Sequence, residues 1–341
     1  MSKKFCCPNC FGDYGLEKSI FPSLNAQIGN CNFCLSTNVD VLTPSLLVDS
    51  FQPLVEIYKK DNNGKPLAEL LKKDWLLFDN RDLSNNSIID LLDDILGIKG
   101  ISQEKFSLSN SYKSDKLESW NKFREEIRYK NRWFLEDIID LEQLGSLLTN
   151  LHAVDLPKKW YRARLGKYNE FFELQQMSSP PKNLSTFGRA NPAGIPYLYL
   201  ASNKETALAE VRPQNKENAT IAEFLIEDLL AVDLRNPRKH ISPFILQDTE
   251  KIGELSVELP FLEILGQELT RPVLPFEAAI NYTPTQYLCE FIKSKNYDGV
   301  IYSSSVSDGF NFALFDQNKA KSVTVEHYVA NVSVSCVSYS G

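Results

Sequence analysis

Two short cysteine knuckles constrain the beginning of this chain more than any other feature. Cys7-Pro-Asn-Cys10 and Cys31-Asn-Phe-Cys34 are separated by 20 residues, a spacing that lets four thiolates converge tetrahedrally on one Zn²⁺. Cys6 offers an alternative to Cys7, but a C-x2-C turn presents two sulfurs in one tight loop better than C-x3-C does, so Cys7 is the expected ligand and Cys6 a spare thiol. Five of the seven cysteines lie within the first 34 residues, while Cys289 and Cys336 stand alone. That clustering points to metal in a reducing compartment and away from a disulfide framework. Four thiolates leave no open coordination position, so the ion is expected to be structural. Tyr14, Ile20, Phe21, Leu24 and Ile28 offer only a very small core between the knuckles, which is why the segment needs such a staple. Lys3, Lys4 and Lys18 are too few and scattered to make the ribbon a nucleic-acid reader; it remains open as a surface for sensing a partner or substrate.

With 341 residues the chain exceeds the roughly 250 that a single core usually supports, and two or three domains are expected. Hydrophobic residues make up 43% and charged residues 24%, enough apolar material for the whole chain to fold. A formal charge of −7 provides no cationic footprint, so nucleic acid is not the expected partner. No apolar h-region precedes the cysteines and no run approaches the roughly 18 apolar residues of a membrane span. The expectation is a soluble, cytoplasmic protein without a membrane partner.

Composition divides the chain in three. Residues 1–44 form the cysteine segment. Residues 45–154 carry helical patterns: LLVDSFQPLVEIYKK, PLAELLKKDWLLF, SIIDLLDDILG, and a stretch from Lys116 to Leu151 in which Trp120, Phe123, Ile127, Phe134, Ile138 and Leu141 recur at spacings of three, four and seven. Residues 155–341 turn to short β-rich runs such as YLYLA, TIAEFLIE, LLAVDL, GVIY and FNFALF with helices between, an α+β mixture. Ser202-Asn203-Lys204-Glu205 has capping-box spacing, so the strand at 197–201 is predicted to turn into a helix near 203–212, with Glu205 as the capping partner. Thr283-Pro284 is expected to open another helix that ends near Lys295-Asn296.

The chemistry concentrates after residue 160. Trp160-Tyr161-Arg162-Ala163-Arg164 is followed by Gly188-Arg189-Ala190-Asn191-Pro192-Ala193-Gly194, then by a strand carrying Tyr197 and Tyr199, then by a helix with Glu210 two turns in. A guanidinium offers a planar fork for phosphate, a tyrosine ring can stack on a heterocycle, and a carboxylate can hold a ribose hydroxyl or stabilise an oxocarbenium ion as a glycosidic bond breaks. Each residue alone has an ordinary reading: a surface arginine, a core tyrosine, a solvated glutamate. Together they match the needs of NAD⁺.

This order of motifs resembles the RES-domain family, named for its Arg, Glu and Ser, over roughly residues 155 to 320. The family pattern runs from an Arg-bearing strand to a GR-x-N-x-x-G loop, a strand of the form LYLA, a helix of the form TALAE and a late serine in a strand ending YxS. The matching positions are Arg162, Arg189 with Asn191, Tyr199, Glu210, and Ser304 in Gly299-Val-Ile-Tyr302-Ser303-Ser304, with Ser303 left open as the alternative serine. Gly309-Phe-Asn311-Phe-Ala-Leu-Phe315 is similar to the family's ending. The segment with Trp120, Phe123 and Asn131-Arg-Trp133-Phe134 resembles the HEPN-type extension found before some RES domains. His152, the nearest histidine to Arg132, stands 20 residues beyond it, so the helical segment is expected to be scaffold or regulator and not ribonuclease.

The resemblance implies an ADP-ribosyltransferase-like mixed β core, an NAD⁺-degrading activity, and the role of a bacterial toxin or antiviral defence effector. Arg162 and Arg189, with Tyr199 and Asn191, would bind NAD⁺; Glu210 and Ser304 would flank the scissile N-glycosidic bond and, with Arg189 and Tyr199, make up the catalytic set. The acceptor stays open among water, inorganic phosphate and a protein side chain, making the enzyme a glycohydrolase, a phosphorylase or an ADP-ribosyltransferase. The competing class is a non-catalytic module that senses a nucleotide or binds a partner. An antitoxin, a regulatory protein or self-assembly into a homo-oligomer would restrain the activity. His152, His240 and His327 suggest neither a triad nor a second metal site.

Overall fold

The computed structural model describes residues 3–136, 139–167, 169–274 and 276–331. The chain forms two compact units, Met1–Leu117 with Asn236–Glu263 and Glu118–Arg235 with Ile264–Gly341. This division differs from the three expected segments: 118–154 groups with the β-rich residues, and 236–263 returns to the N-terminal unit.

In the first unit β1 (Gln27–Gly29) and β2 (Val39–Val41) pair antiparallel beside the knuckles. Phe11, one residue past Cys10, is fully buried, with ring centroids 6.2, 5.7 and 5.8 Å from those of Phe21, Phe51 and Phe78. The cysteine segment therefore shares its core with the helices that follow. These are α1 (Val48–Glu56), α2 (Leu67–Trp75) and α3 (Asn85–Leu96). Each buries a stripe at helical spacing, as in α3 with Ile88, Leu91, Leu92 and Ile95. Ser84 caps α3 by accepting from the Ser87 N–H, and Gly97 ends it at φ +66°, a conformation glycine adopts without penalty. One element departs from the helical expectation: β3 (Tyr58–Pro66) pairs antiparallel with β4 (Lys105–Leu108). Its sequence, YKKDNNGKP, is polar and mostly exposed, so it lacks the alternation that marks a half-buried strand.

The stretch from 116 to 151 is two helices. In α4 (Lys116–Tyr129) Trp120, Phe123 and Ile127 are buried as the spacing requires. The helix stops at Tyr129, and Phe134 is 87% exposed; Ile138 lies outside the described residues. α5 (Leu141–Leu148) starts afresh at Asp140, whose carboxylate accepts from the Gln143 N–H at 2.9 Å.

The α+β class holds in the second unit, whose seven-stranded sheet contains β5 (Lys159–Gly166), β6 (Leu198–Ala201), β7 (Asn218–Leu225), β8 (Ala231–Asp233), β9 (Gly299–Ser303), β10 (Phe310–Leu314) and β11 (Lys321–Val329). The order is β11-β7-β5-β6-β10-β9-β8, antiparallel except for the β8–β9 pair. β11, absent from the sequence reading, is a largely exposed edge. A core of Trp160, Leu198, Leu200, Phe224, Ile301, Phe312 and Leu314 forms from alternate strand residues. A second cluster, of Ala163, Ala201, Ala207 and Ile221, brings in α6 (Lys204–Val211).

α6 lies where the sequence placed it, but with a different cap. Asn203 is the N-cap, its Oδ1 accepting from the Thr206 N–H at 2.7 Å, whereas the Ser202 hydroxyl accepts from the Phe310 N–H at 3.1 Å. Glu205 therefore sits in the first turn without the capping-box role. The amide of Asn203 outcompetes the hydroxyl one residue earlier because Ser202 is committed to β10. α7 (Thr249–Thr270) is followed by α8 (Thr283–Ser294). Tyr282 is the N-cap of α8, and the Thr283 hydroxyl donates to the Ala279 carbonyl at 3.3 Å.

Candidate active site

The sheet opens between β5 and β6. These strands share one register pair, Tyr161↔Ala201, whereas β5 and β7 share eight, from Lys159↔Leu225 to Gly166↔Asn218. Beyond that pair, β5 and β6 line a cleft of about 590 Å³, within the range of small-molecule sites. Arg162, Arg189, Tyr199 and Glu210 all line it.

Glu210 extends from the last turn of α6 and is exposed to the cleft. Its Oε1 accepts two hydrogen bonds, from Ser304 Oγ at 2.7 Å and from Asn311 Nδ2 at 2.6 Å. Ser304 Oγ also accepts from the Val306 N–H at 3.2 Å, so the turn after β9 aims it. Of the neighbouring serines, Ser307 donates instead to the Thr206 hydroxyl at 2.8 Å.

Arg162 carries the other charge. Its Nη1 is buried without a hydrogen-bond partner, and burial, with Arg164 beside it, pushes its pKa down to about 10. A buried guanidinium nitrogen without a protein acceptor is costly, and an anion would offset that cost. Arg164 itself turns aside, donating to the Gln176 carbonyl at 3.0 Å and lying 3.9 Å from the Phe172 ring centroid. Arg189 donates from Nη1 to the Arg271 carbonyl at 2.6 Å, and its guanidinium carbon sits 5.2 Å from the Tyr282 ring centroid.

Tyr199 and Asn191 form a clasp. The Tyr199 hydroxyl donates to Asn191 Oδ1 at 2.7 Å and accepts from the Ala190 N–H at 3.0 Å. Burial pushes its pKa above the usual phenol value, which keeps it a donor. Asn191 Nδ2 donates to the carbonyls of Thr186, Pro192 and Ile195 at 3.0, 3.0 and 2.9 Å. Asn191 is 3% exposed and is not among the residues that line the cleft; its amide binds the carbonyls of its own loop, so it shapes the segment that carries Arg189. Thr285 and Gln286 in the first turn of α8 donate to the carbonyls of Arg189 and Gly188 at 2.6 and 2.8 Å.

A RES domain family model matches residues 159–335, more than half of the chain. The chain belongs to the RES-domain family. Among solved structures, a chain of the M. tuberculosis MbcT–MbcA toxin–antitoxin complex is similar at 14% identity with a TM-score of 0.34, over 56% of this chain and 93% of that one. No curated protein matches the chain.

Within this RES domain the cleft also takes in Tyr161, Arg212, Tyr282, Tyr302 and Asn311, none of which the sequence reading named as site residues. Asn311 had a visible signal: it is the one polar residue in the run FNFALF. Arg212 had little, since its placement follows from a left-handed backbone, φ +50°, at the end of α6.

The cysteines converge as the spacing requires. The sulfurs of Cys7, Cys10, Cys31 and Cys34 all lie within 4.8 Å of one another and all four residues are buried. The closest pairs are Cys7–Cys34 at 3.4 Å and Cys10–Cys31 at 3.3 Å, close to the roughly 3.8 Å edge of a tetrahedron with metal–sulfur bonds of about 2.3 Å. Cys31 Sγ accepts from the N–H groups of Phe33 and Cys34 at 3.4 and 3.5 Å, donors that favour a thiolate. Cys6 lies apart, its sulfur directed to the Leu42 carbonyl at 3.5 Å. Among the described residues no helix is long and apolar enough to cross a membrane.

Proposed function

We propose that this RES domain cleaves the N-glycosidic bond between nicotinamide and ribose in NAD⁺. The observation that carries the reading is the presence, in one cleft, of an anion-seeking Arg162 and an oriented Glu210 carboxylate. Arg162, with Arg189, takes the pyrophosphate; Tyr199 holds the loop that presents Arg189; Glu210 faces the ribose. The nicotinamide ring is cationic while bound in NAD⁺ and departs as a neutral molecule, passing its positive charge to the ribose, so the protein's task is to orient the substrate and stabilise the oxocarbenium character that develops there, which a fixed carboxylate does. Ser304 holds that carboxylate. Water or inorganic phosphate then completes the reaction as glycohydrolase or phosphorylase.

Membership of the RES family supports the wider reading of a toxin or defence effector that depletes NAD⁺ and is restrained by an antitoxin or regulatory protein. The four-cysteine cluster is proposed to hold a structural Zn²⁺, and the helical segment before the RES domain to act as scaffold or regulator.

The test is to incubate the full-length protein with NAD⁺, with and without inorganic phosphate, and separate the products by chromatography beside Glu210→Ala. Nicotinamide release is expected from the wild type and to fall at least about 10²-fold in the variant, the scale of losing one preorganised electrostatic group. Dependence of the second product on phosphate identifies the acceptor. An inert wild type, or a variant as fast as wild type, would sink the reading.

A further inference from the structure

We propose that Asn311 is a positioning residue that acts through Glu210; the inference rests on the NAD⁺-cleaving reading above. Asn311 sits in β10, a strand hydrogen-bonded on both sides, in register with Ala201 of β6 and Tyr302 of β9. Phe310, Phe312 and Leu314 on the same strand pack with the core, the latter two fully buried within it. By strand alternation Asn311 stands on the opposite face, the one that lines the cleft with Tyr199, Ala201 and Tyr302. It is only 7% exposed. A buried amide in a central strand costs stability unless it is hydrogen-bonded, and an alanine or valine would serve the sheet better. The bond it makes is to a carboxylate 101 residues away, Glu210, at 2.6 Å.

The geometry of that bond gives it a purpose. Asn311 Nδ2 and Ser304 Oγ both donate to the same oxygen, Oε1, and among the described residues no donor reaches Oε2. Two donors from two strand ends, with the glutamate on α6, fix the plane of the carboxylate, while the second oxygen stays free for the ribose. Ser304 alone would not do this, because one hydrogen bond leaves the carboxylate free to swing about it. The side chain of Asn311 thus orders the group that meets the substrate.

The experiment uses the full-length protein and four variants: Asn311→Ala, Asn311→Asp, Glu210→Gln and the double variant Asn311→Ala with Glu210→Gln. Nicotinamide release gives kcat and KM, and calorimetry gives the affinity for NAD⁺. Asn311→Ala is expected to lower kcat roughly tenfold, the cost of one hydrogen bond to a charged group, with KM and affinity within about twofold of wild type. Asn311→Asp keeps the shape and replaces the donor by a like charge, so its kcat is expected to fall at least as far. In the Glu210→Gln background Asn311→Ala is expected to add nothing further. Wild-type kcat in Asn311→Ala, or an undiminished loss in the Glu210→Gln background, would overturn the proposal while leaving the reaction intact. A wild type that releases no nicotinamide would defeat the functional reading instead. The proposal then rests on the Glu210 carboxyl ¹³C signal, identified by its absence in Glu210→Gln: a shifted signal in Asn311→Ala upholds it and an unmoved one refutes it.

Discussion

Arg162 brings a full positive charge to a place where one of its guanidinium nitrogens is buried without a hydrogen-bond acceptor from the protein. Burial depresses its pKa to about 10. A cation whose folded-state pKa is depressed penalises folding at every pH below the shifted value, so the penalty is fully present at neutral pH. Arg162→Met removes the charge and keeps most of the stem. It is expected to raise the stability of the free protein by about 1 kcal/mol or more, read as a higher Tm, and at the same time to abolish the stabilisation that added NAD⁺ gives the wild type. A variant that is less stable than wild type, yet still stabilised by NAD⁺, would show that Arg162 is structural. The grouping of the motif residues was largely legible at this scale: Arg162, Arg189, Tyr199 and Glu210 line one cleft, and Ser304 reaches Glu210. What sequence could not reveal was the division of labour. Asn191 and Tyr199 look equally available to a ligand in one dimension, and only the fold shows that the amide of Asn191 is consumed by three carbonyls of its own loop.

At the scale of elements, the glycine-arginine loop works because three pieces grip it: the Tyr199 hydroxyl from β6, Asn191 from within, and the first turn of α8. Gly188 has no room to grow. A Cβ there would lie 2.5 Å from Asn191 Oδ1 and 2.6 Å from the Tyr199 hydroxyl oxygen. Gly188→Ala is therefore expected to cost about 1–3 kcal/mol by overpacking and to raise KM, since the displaced clasp misplaces Arg189. Unchanged Tm and KM would show that the loop gives way freely. Helix and strand positions followed from periodicity wherever one face is buried, as in α3, α4, β6 and β10. Periodicity failed for β3 and β11, whose side chains are mostly exposed, because a strand that buries little leaves no alternating pattern. It also ran too far past Tyr129, where Phe134 continued the count but not the helix.

Across the whole molecule, the cysteine cluster and the sheet belong to different units. The purified, reduced protein is expected to contain one zinc per chain by elemental analysis, and Cys31→Ser or a strong chelator to remove it. Loss of the ion should unfold the knuckles and lower the Tm of the first unit, whose core takes in Phe11 beside Cys10. Protein that is free of metal and equally stable would refute this. The three expected segments followed the change of composition along the chain, whereas the two compact units follow other bounds. They could not foresee that 236–263 returns to the first unit, because a helical pattern does not say which core it joins.

That interleaving, and the late arrival of β10, set an order on the birth of the protein. Residues 1–117 leave the ribosome long before 236–263, the rest of their unit, exist. Glu210 is made 101 residues before Asn311, a delay of roughly 5 to 20 s at synthesis rates of about 5–20 residues per second. A chain released between Glu210 and the start of β9 holds Arg162 and Glu210 but neither Ser304 nor Asn311, the two donors to the carboxylate. On the proposed reading such fragments are inert, and only the finished chain carries the assembled cleft.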